Sequence, residues 1–477
     1  MQPFLALVPM GCVTAAALAV MLAEAFRDSD EAIPMAPLGV IGLVSAAVAL
    51  IGLWNRDAIS FDVVVADNFG LFVSAVLIVI GLLTFAFSPA TVEREGLPAG
   101  EYYALTLFAL AAMMLMATAA DLLLIFLALE ALSLAVYVLT GLRRSSLTAM
   151  EASFKYFLLG GFSSAFFLYG IAFTYGVTGS TRIDRIASLV AAQGVSPTPM
   201  QFLALGLLFV GFGFKVSAVP FQMWTPDAYE GAPPSVTGFM STGVKAAAFA
   251  AFARVFLTAF GPFHGEWVGI ARIVAGATMI LGTVVGLAQT NLKRMLAYSS
   301  IAHAGYLLVA LVSANDVGAG AILFYLLAYA ITNLGAFGVI AMLETAEGPN
   351  DSLRDYAGLW NEHPWLAALL TIFLLSLGGF PPTAGFIATW YVFSAAVKAE
   401  QYGLAIVGVL TSVVSVFFYL RIVVMMYMTP AESPVRIPRV PRVAGAALIV
   451  SAALTVYLGV VPTQVLDWAA ASVARIL

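Results

Sequence analysis

Apolar runs follow one another along nearly the whole chain, and only short polar stretches separate them. A helix needs roughly 20 predominantly apolar residues to cross the hydrocarbon core of a bilayer. Because hydrocarbon offers no hydrogen-bond partners, a spanning segment must pair its backbone groups internally, as a helix does. The pattern therefore predicts an all-α polytopic membrane protein.

The composition agrees with this fold class. Of 477 residues, 62% are hydrophobic and 10% are charged, whereas soluble domains carry roughly 25% charged residues. The apolar runs leave no room for an extramembrane domain of about 50 residues. Any soluble catalytic machinery is expected to belong to partner proteins.

Hydropathy predicts fourteen spans. They cover residues 3–26, 36–54, 67–88, 102–119, 121–141, 150–177, 201–224, 234–259, 267–290, 294–312, 317–343, 364–397, 402–428 and 442–460. The twelfth is too long for one straight helix.

Loops after odd-numbered spans hold ten Lys and Arg residues and those after even-numbered spans hold four, which predicts cytoplasmic odd loops and both termini on the outer side.

Redox cofactors and metals are not expected in this chain. Cys12 is the only cysteine, and His264, His303 and His363 are the only histidines, too few for iron–sulfur clusters, haem or a zinc site. The net charge of −5 is spread over many loops without a basic patch, so nucleic acid is not an expected partner.

Four titratable side chains lie deep in predicted spans: Glu130, Lys215, Lys245 and His303. A charge at mid-bilayer costs about 2.5–3.5 kcal/mol, so each must be paired, hydrated or neutral. Glu130 and Lys215 are interpreted either as a structural ion pair or as a switchable proton carrier, because burial favours the neutral forms and proximity the charged ones. Lys245 and His303 would continue the proton route, unless His303 is simply a packed histidine.

Other charged groups have simpler explanations. Lys155 follows Glu151 by four residues, so a surface pair on one helical face explains it as well as a function does. Arg254 and Arg421 lie toward span ends and are expected to be interface anchors.

Prolines predict two broken helices. Pro220 lies late in the seventh span, and Pro381 and Pro382 lie inside the twelfth. Five spans separate the breaks, so two five-span units would face opposite ways across the membrane, as in transporters with inverted repeats. The predicted divisions are 1–101 (three helices), 102–260 (first repeat), 261–428 (second repeat) and 429–477 (last helix and tail).

Four long motifs resemble subunit N of bacterial NADH:quinone oxidoreductase, respiratory complex I, whose relatives include mitochondrial subunit 2 and antiporter D-type subunits. They are KVSAVPFQMWTPDAYEGAP (Lys215 to Pro233), VKAAAFAA around Lys245, NLKRMLAYSSIAHAGY (Asn291 to Tyr306) and SVVSVFFYLRIVVMMY (Ser412 to Tyr427). The resemblance covers essentially the entire chain. It implies a fourteen-helix fold in a bacterial inner membrane, with helices seven and twelve broken.

The resemblance also implies a role. It suggests a membrane-arm subunit that moves protons while FMN, iron–sulfur clusters, NADH and quinone act in partner subunits. By motif position, Glu130, Lys155, Lys215, Lys245 and His303 would transfer protons.

Two positions depart from the family pattern. Gln222 stands where members often have histidine, and Thr389 stands where they have a lysine in the twelfth span. Neither side chain titrates near neutrality, so the second half-channel lacks its usual carrier. Lys398, nine residues later, lies about 13 Å along a helix and is a doubtful substitute. A cation/proton antiporter or hydrogenase-type subunit, or a non-pumping scaffold, stays possible at this point.

Overall fold

The computed structural model describes residues 4–27, 35–193, 197–344, 351–431 and 439–474. Its α-helices, in chain order, are α1 (Val8–Ala25), α2 (Met35–Leu53), α3 (Asn68–Arg94), α4 (Ala99–Thr118), α5 (Leu122–Thr140), α6 (Leu147–Thr178), α7 (Ile183–Gln193), α8 (Pro199–Lys215), α9 (Trp224–Gly231), α10 (Pro234–Phe239), α11 (Lys245–Ala253), α12 (His264–Leu287), α13 (Leu292–Ser313), α14 (Asp316–Leu343), α15 (Leu359–Glu362), α16 (Pro364–Leu377), α17 (Ala384–Lys398), α18 (Tyr402–Met428), α19 (Arg442–Val460) and α20 (Thr463–Ser472).

Shorter elements complete the chain. Two π-helical segments, Met240–Val244 and Arg254–Ala259, flank α11. Three 3-10 segments lie at Leu5–Leu7, Gly261–Phe263 and Leu353–Tyr356. Strands β1 (Ala58–Ser60) and β2 (Val64–Ala66) form an antiparallel hairpin that pairs Ala58 with Ala66. The sequence did not predict this hairpin or α7.

The fourteen predicted spans are confirmed. Twelve of them correspond to helical stretches long and apolar enough to cross a membrane. The seventh is divided into α8 and α9, and the twelfth into α16 and α17. The repeat boundaries after residues 101, 260 and 428 stay predictions.

Each break lies where the backbone cannot continue as a helix. Pro220 has no N–H to donate, and Ser217, just after α8, has a φ of 65°. The carbonyl of Phe214, freed at the end of α8, accepts a hydrogen bond from the Trp224 indole at 3.0 Å. In the twelfth span, Gly379 has a φ of 73° and two prolines follow it. The predicted helix breaks are therefore both present.

Three spans form the centre of the protein. The continuous segment Pro234–Ala259 is entirely buried in its most apolar window, and Leu292–Ser313 and Asp316–Leu343 are 94% buried there. In contrast, α1, α2, α6 and α19 are only 33–39% buried and present apolar side chains outward. Lys245 and His303 both belong to the central segments.

Arg254 is not the interface anchor that its position predicted. Its side chain is buried, and its guanidinium donates two hydrogen bonds of 2.8 Å to the Asp67 carboxylate, which caps α3. The Ala117 carbonyl accepts a third at 3.2 Å. The prediction was wrong because proximity to a span end does not reveal that Asp67 approaches from another helix. Arg421, only partly buried, donates to the carbonyls of Leu287 and Gln289.

Arg254→Met is expected to destabilise the protein by about 3–5 kcal/mol, because it leaves the buried Asp67 carboxylate without its guanidinium. The midpoint of thermal unfolding in detergent measures this effect. Arg182→Gln is the matched control: Arg182, just before α7, pairs with the exposed Asp184 at the surface, where such pairs contribute about 0–1 kcal/mol. Equal losses in the two variants would contradict the importance of the buried pair.

Candidate functional site

Lys215 is placed by the first helix break. It occupies the last turn of α8, is 2% exposed and donates a hydrogen bond of 2.7 Å to the Ser133 hydroxyl on α5. Its ammonium also lies 5.6 Å and 5.4 Å from the ring centroids of Tyr137 and Tyr156. Aromatic faces attract cations, so the site accepts the ammonium without a contacting carboxylate.

Glu130 lies one turn before Ser133 on α5 and is half-buried. It accepts a short hydrogen bond from Ser164 on α6. Within the described chain it does not come within 4 Å of Lys215, so the two do not form the direct ion pair that the sequence suggested. Ser164 and Lys215 instead line a shared cavity of about 10 Å³, roughly the space of one water molecule.

Lys155 belongs to a different cluster. Its ammonium lies 2.6 Å from Glu151 and 2.9 Å from Asp227, and its side chain is 44% exposed. Asp227 also pairs with Arg294 at 2.7 Å. The i, i+4 pair that the sequence indicated is therefore present, and the structure extends it to α9 and α13.

Lys245 lies directly after a π-helical segment and is 2% exposed. Its ammonium donates hydrogen bonds of 2.5 Å to both the backbone carbonyl and the hydroxyl of Ser300 on α13. The Ser300 hydroxyl accepts from Tyr329 at 2.8 Å, and Tyr229 lies 3.4 Å from it. Lys245 therefore joins a group of hydroxyls drawn from three helices.

His303 lies three residues after Ser300 on the same helix and is 6% exposed. Its Nδ1 makes a short hydrogen bond with Tyr325, and its Nε2 lies 3.2 Å from the Tyr419 hydroxyl. Its ring is 5.1 Å from the ring of Tyr329. Tyr329 thus touches both the Ser300 hydroxyl and the imidazole, which places Lys245 and His303 in one polar cluster.

Sequence reasoning missed the hydroxyl partners of both sites. They are Ser133 at Lys215, and Ser300, Tyr325, Tyr329 and Tyr419 in the cluster of Lys245 and His303. The available signal was weak: a tyrosine in an apolar run usually needs a hydrogen-bond partner for its hydroxyl. Only the packing of helices identifies that partner.

The second break holds a smaller polar site. A cavity of about 10 Å³ is lined by His303, Thr332, Ser376 and Gly385, among others. Among its described lining residues, His303 alone has a basic side chain. Thr389 donates its hydroxyl to the Gly385 carbonyl at 2.8 Å. Lys398 is 55% exposed and lies 3.8 Å from Asp316, so it does not replace the missing lysine in this cavity.

Gln222 lies in the first break, between α8 and α9. Its Oε1 is buried and has no hydrogen-bond partner among the described residues. An amide can hold water or donate a hydrogen bond, but it cannot carry a proton near neutrality.

The arrangement as a whole suits proton transfer. The Lys245 ammonium is hydrogen-bonded to Ser300, the His303 imidazole is hydrogen-bonded to Tyr325 and Tyr419, and the ring of Tyr329 lies between the two groups. A hydroxyl can accept one proton as it donates another. Within the described ranges, no group of three or more His, Cys, Asp or Glu side chains could hold a metal ion.

Comparison of the chain with known proteins identifies the family to which it is similar. The model described as NADH:quinone oxidoreductase/Mrp antiporter, TM, matches residues 119–415. NADH-quinone oxidoreductase subunit N of Trichlorobacter lovleyi is 45% identical over 96% of this chain and 94% of its own length. The protein of that name from Salinibacter ruber is 43% identical over 94% of this chain and 92% of its own length.

Solved structures show the same fold. A chain of respiratory complex I from Thermus thermophilus with bound Aureothin aligns with a TM-score of 0.82 and 34% identity, covering 97% of this chain and 99% of that one. A chain of the Mrp complex from Dietzia sp. DQ12-45-1b aligns with a TM-score of 0.84 over 100% and 98% of the two chains. At 22% identity, the second likeness shows the fold alone.

Gly385→Ala is expected to destabilise the second break. An added Cβ would lie 1.8 Å from the Ser376 carbonyl oxygen, so the start of α17 would have to move away from α16. Such overpacking costs on the order of 1–3 kcal/mol. The free energy of unfolding in detergent measures it.

Gly269→Ala is the matched control for this substitution. Gly269 lies inside α12 with nothing within 4 Å of the added methyl group, so we expect no loss and a gain of up to about 1 kcal/mol from helix propensity. A Gly385→Ala protein as stable as the control would disprove the close approach.

Proposed function

The chain belongs to the subunit N family of NADH-quinone oxidoreductases, within the wider NADH:quinone oxidoreductase/Mrp antiporter family, and we propose that it translocates protons as a membrane-arm subunit of such a complex. Protons would pass through Glu130, Lys155, Lys215, Lys245 and His303, driven by quinone reduction in other subunits. The chain itself would carry out no redox chemistry.

One observation carries this proposal: two lysines are buried without a carboxylate partner. Lys215 and Lys245 are each 2% exposed, and in the described chain neither has an acidic group within 4 Å. Both ammonium groups donate to hydroxyls instead. An unpaired charge in a buried site is costly, so each lysine can release its proton when its surroundings change.

Proton transfer between Lys245 and His303 uses the hydroxyls that separate them. Tyr329 donates to the Ser300 hydroxyl in the structure, so these two hydroxyls first turn until Ser300 donates to Tyr329. Lys245 then gives a proton to Ser300, whose own hydroxyl proton passes to Tyr329, beside the imidazole ring. Ser300 ends with as many protons as it began with. In the first half, Ser133, Ser164 and the shared cavity provide the corresponding connection between Glu130 and Lys215.

Lys155 occupies the exposed end of the first half. Its ion pairs with Glu151 and Asp227 favour the charged form. Lys155 would therefore either change the proton affinity of Lys215 through its electrostatic field or exchange protons with water at the surface. The paired Asp227 and Arg294 connect this end with α13, the helix that carries His303.

The family suggests which subunits this chain would contact in the assembled complex. The neighbouring antiporter-like and small membrane subunits would cover the exposed apolar faces of the outer helices, beside the lipid bilayer. FMN, iron–sulfur clusters, NADH and quinone would bind to other subunits. With the odd loops in the cytoplasm, both termini would lie on the outer side of the bacterial inner membrane.

The antiporter alternative has weaker support. The Mrp likeness rests on 22% identity and shows only the shared fold, whereas relatives named subunit N reach 45% identity over nearly the whole chain. The scaffold alternative predicts pumping that is insensitive to Lys215.

Lys215→Ala in the assembled complex is expected to lower the number of protons pumped per NADH oxidised. Lys215→Arg should lower it too, because arginine keeps the charge but cannot release a proton. Proton uptake and NADH oxidation measured together in inverted membrane vesicles give this ratio.

Lys398→Ala is the control for this experiment. Lys398 also occupies the last turn of a half-helix, but it is 55% exposed and lies outside the proposed route. The control should keep the normal ratio. A Lys215→Ala complex with full pumping would refute the role of this lysine and favour the scaffold alternative.

Thr389→Val tests whether the second half conducts without a lysine. Valine keeps the shape and removes the hydroxyl, which donates to the Gly385 carbonyl and lies near Tyr325. We expect fewer protons pumped per NADH. Ser394→Ala, five residues along on the exposed face of α17, removes a hydroxyl that contacts only its own helix and should have no effect. Unchanged pumping in both variants would mean that the second half is bypassed.

A further inference from the structure

A second buried charged cluster lies at the membrane face that is predicted to be cytoplasmic, away from the lysine sites. Its centre is Glu344, which follows the last residue of α14 and is 2% exposed. One carboxylate oxygen, Oε2, accepts a hydrogen bond of 2.9 Å from Arg94 at the end of α3. The other, Oε1, is buried and has no hydrogen-bond partner among the described residues.

The charged and titratable groups that face Glu344 come from four elements. They are Arg94 and Glu95 at the end of α3, Arg143 in the loop after α5, Lys293 in α13, and Asp351 and Tyr356 beside the 3-10 segment Leu353–Tyr356. Three cationic side chains and three carboxylates, Glu344 included, make the ionised cluster neutral. The cluster thus has no excess positive charge to hold Glu344 ionised.

A second carboxyl group, that of Glu95, lies beside Glu344. Glu95 lies within hydrogen-bonding reach of Glu344, and Arg143 holds Glu95 through contacts of 2.5 Å and 2.9 Å. The nearest Arg143 nitrogen is 3.9 Å from Glu344 Oε1, too far for a hydrogen bond. Two ionised carboxylates only accept hydrogen bonds, so a proton on one of them supplies the missing donor.

Burial raises the pKa of Glu344 above its ordinary value, against the opposing effect of Lys293 and with a further increase from Glu95. The carboxyl group therefore keeps its proton to a higher pH than an exposed glutamate does, and loses it as the pH rises further.

Polar side chains lead from this cluster toward Lys245. Tyr102 on α4 is fully buried, lies within electrostatic range of Glu95 and donates a hydrogen bond of 3.0 Å to Ser235. Ser235 belongs to α10, which continues through the π-helical segment to Lys245. The central spans therefore connect the two sites directly.

Asn333 on α14 completes this series. It donates a hydrogen bond of 2.7 Å to Ser241, which lies about one helical turn before Lys245. Its carbonyl oxygen is buried without a partner in the described structure. Ser235 and Ser241 are about 9 Å apart along the helix axis, so transfer between them would need water molecules to bridge the gap.

We propose that Glu344, together with Glu95, is the proton-loading site on the cytoplasmic face, and that Tyr102, Ser235, Asn333 and Ser241 mark the route from it to Lys245. This inference rests on the proposed proton translocation and adds the place where protons are taken up. One proton moves from bulk water to the carboxylate pair and then inward, and no other bond changes.

The test uses the assembled complex in inverted membrane vesicles, where the cytoplasmic face meets the external buffer. Protons pumped per NADH oxidised are measured between pH 6 and pH 9 for Glu344→Gln, Glu344→Asp, Tyr102→Phe and Lys245→Ala. Near pH 7, Glu344→Gln and Tyr102→Phe should lower the ratio by the same fraction as Lys245→Ala. Glu344→Asp retains a carboxyl group and should keep pumping near pH 7. Because aspartate is the stronger acid, the fall in protons pumped per NADH at high pH should begin at a lower pH in this variant.

Thr106→Val is the matched control. Thr106 is buried one turn after Tyr102 on α4, but its hydroxyl donates to the backbone carbonyl of Tyr102 at 2.7 Å and not to a side chain of the route. Normal ratios for Glu344→Gln and Tyr102→Phe beside a loss in Lys245→Ala would overturn the uptake route and leave the proposed function standing. Normal ratios in all three would overturn both.

Discussion

The cost of placing charge in hydrocarbon governs this structure. Every buried cation must find a partner, and the chain uses two kinds. Arg254 is held by the Asp67 carboxylate through two hydrogen bonds, whereas Lys215 and Lys245 donate to hydroxyls. A carboxylate stabilises the positive charge permanently. A hydroxyl satisfies the hydrogen-bonding groups without neutralising the charge, so the lysines keep the ability to change protonation state.

Departures from regular helix place these groups. Lys215 ends α8 at the first break, Lys245 follows a π-helical segment, and the cavity beside His303 opens at the second break. A helix interrupted inside a membrane exposes backbone groups that need partners, so polar side chains and small cavities collect there. The close approach of Gly385 to the Ser376 carbonyl keeps the second cavity narrow.

The two halves of the protein are chemically unequal. The first break has a lysine, while the second has Thr389, whose hydroxyl is bonded to its own helix. Tyrosine hydroxyls from α14 and α18 surround His303 instead. The central segments α10–α11, α13 and α14 carry Lys245 and His303, and Glu344 follows the end of α14, so the most buried part of the fold also holds these ionisable groups.

The sequence by itself determined the spans, both breaks, the depth of the lysines and the family motifs. These features depend on local properties, namely the length of apolar runs and the missing N–H of proline. The sequence did not determine which side chains form hydrogen bonds with one another. Ser133 lies 82 residues from Lys215, Ser300 lies 55 from Lys245, and Asp67 lies 187 from Arg254. Contacts of this kind depend on how each helix is rotated and packed, so only the tertiary structure replaced an expected Glu130–Lys215 pair with hydroxyl contacts.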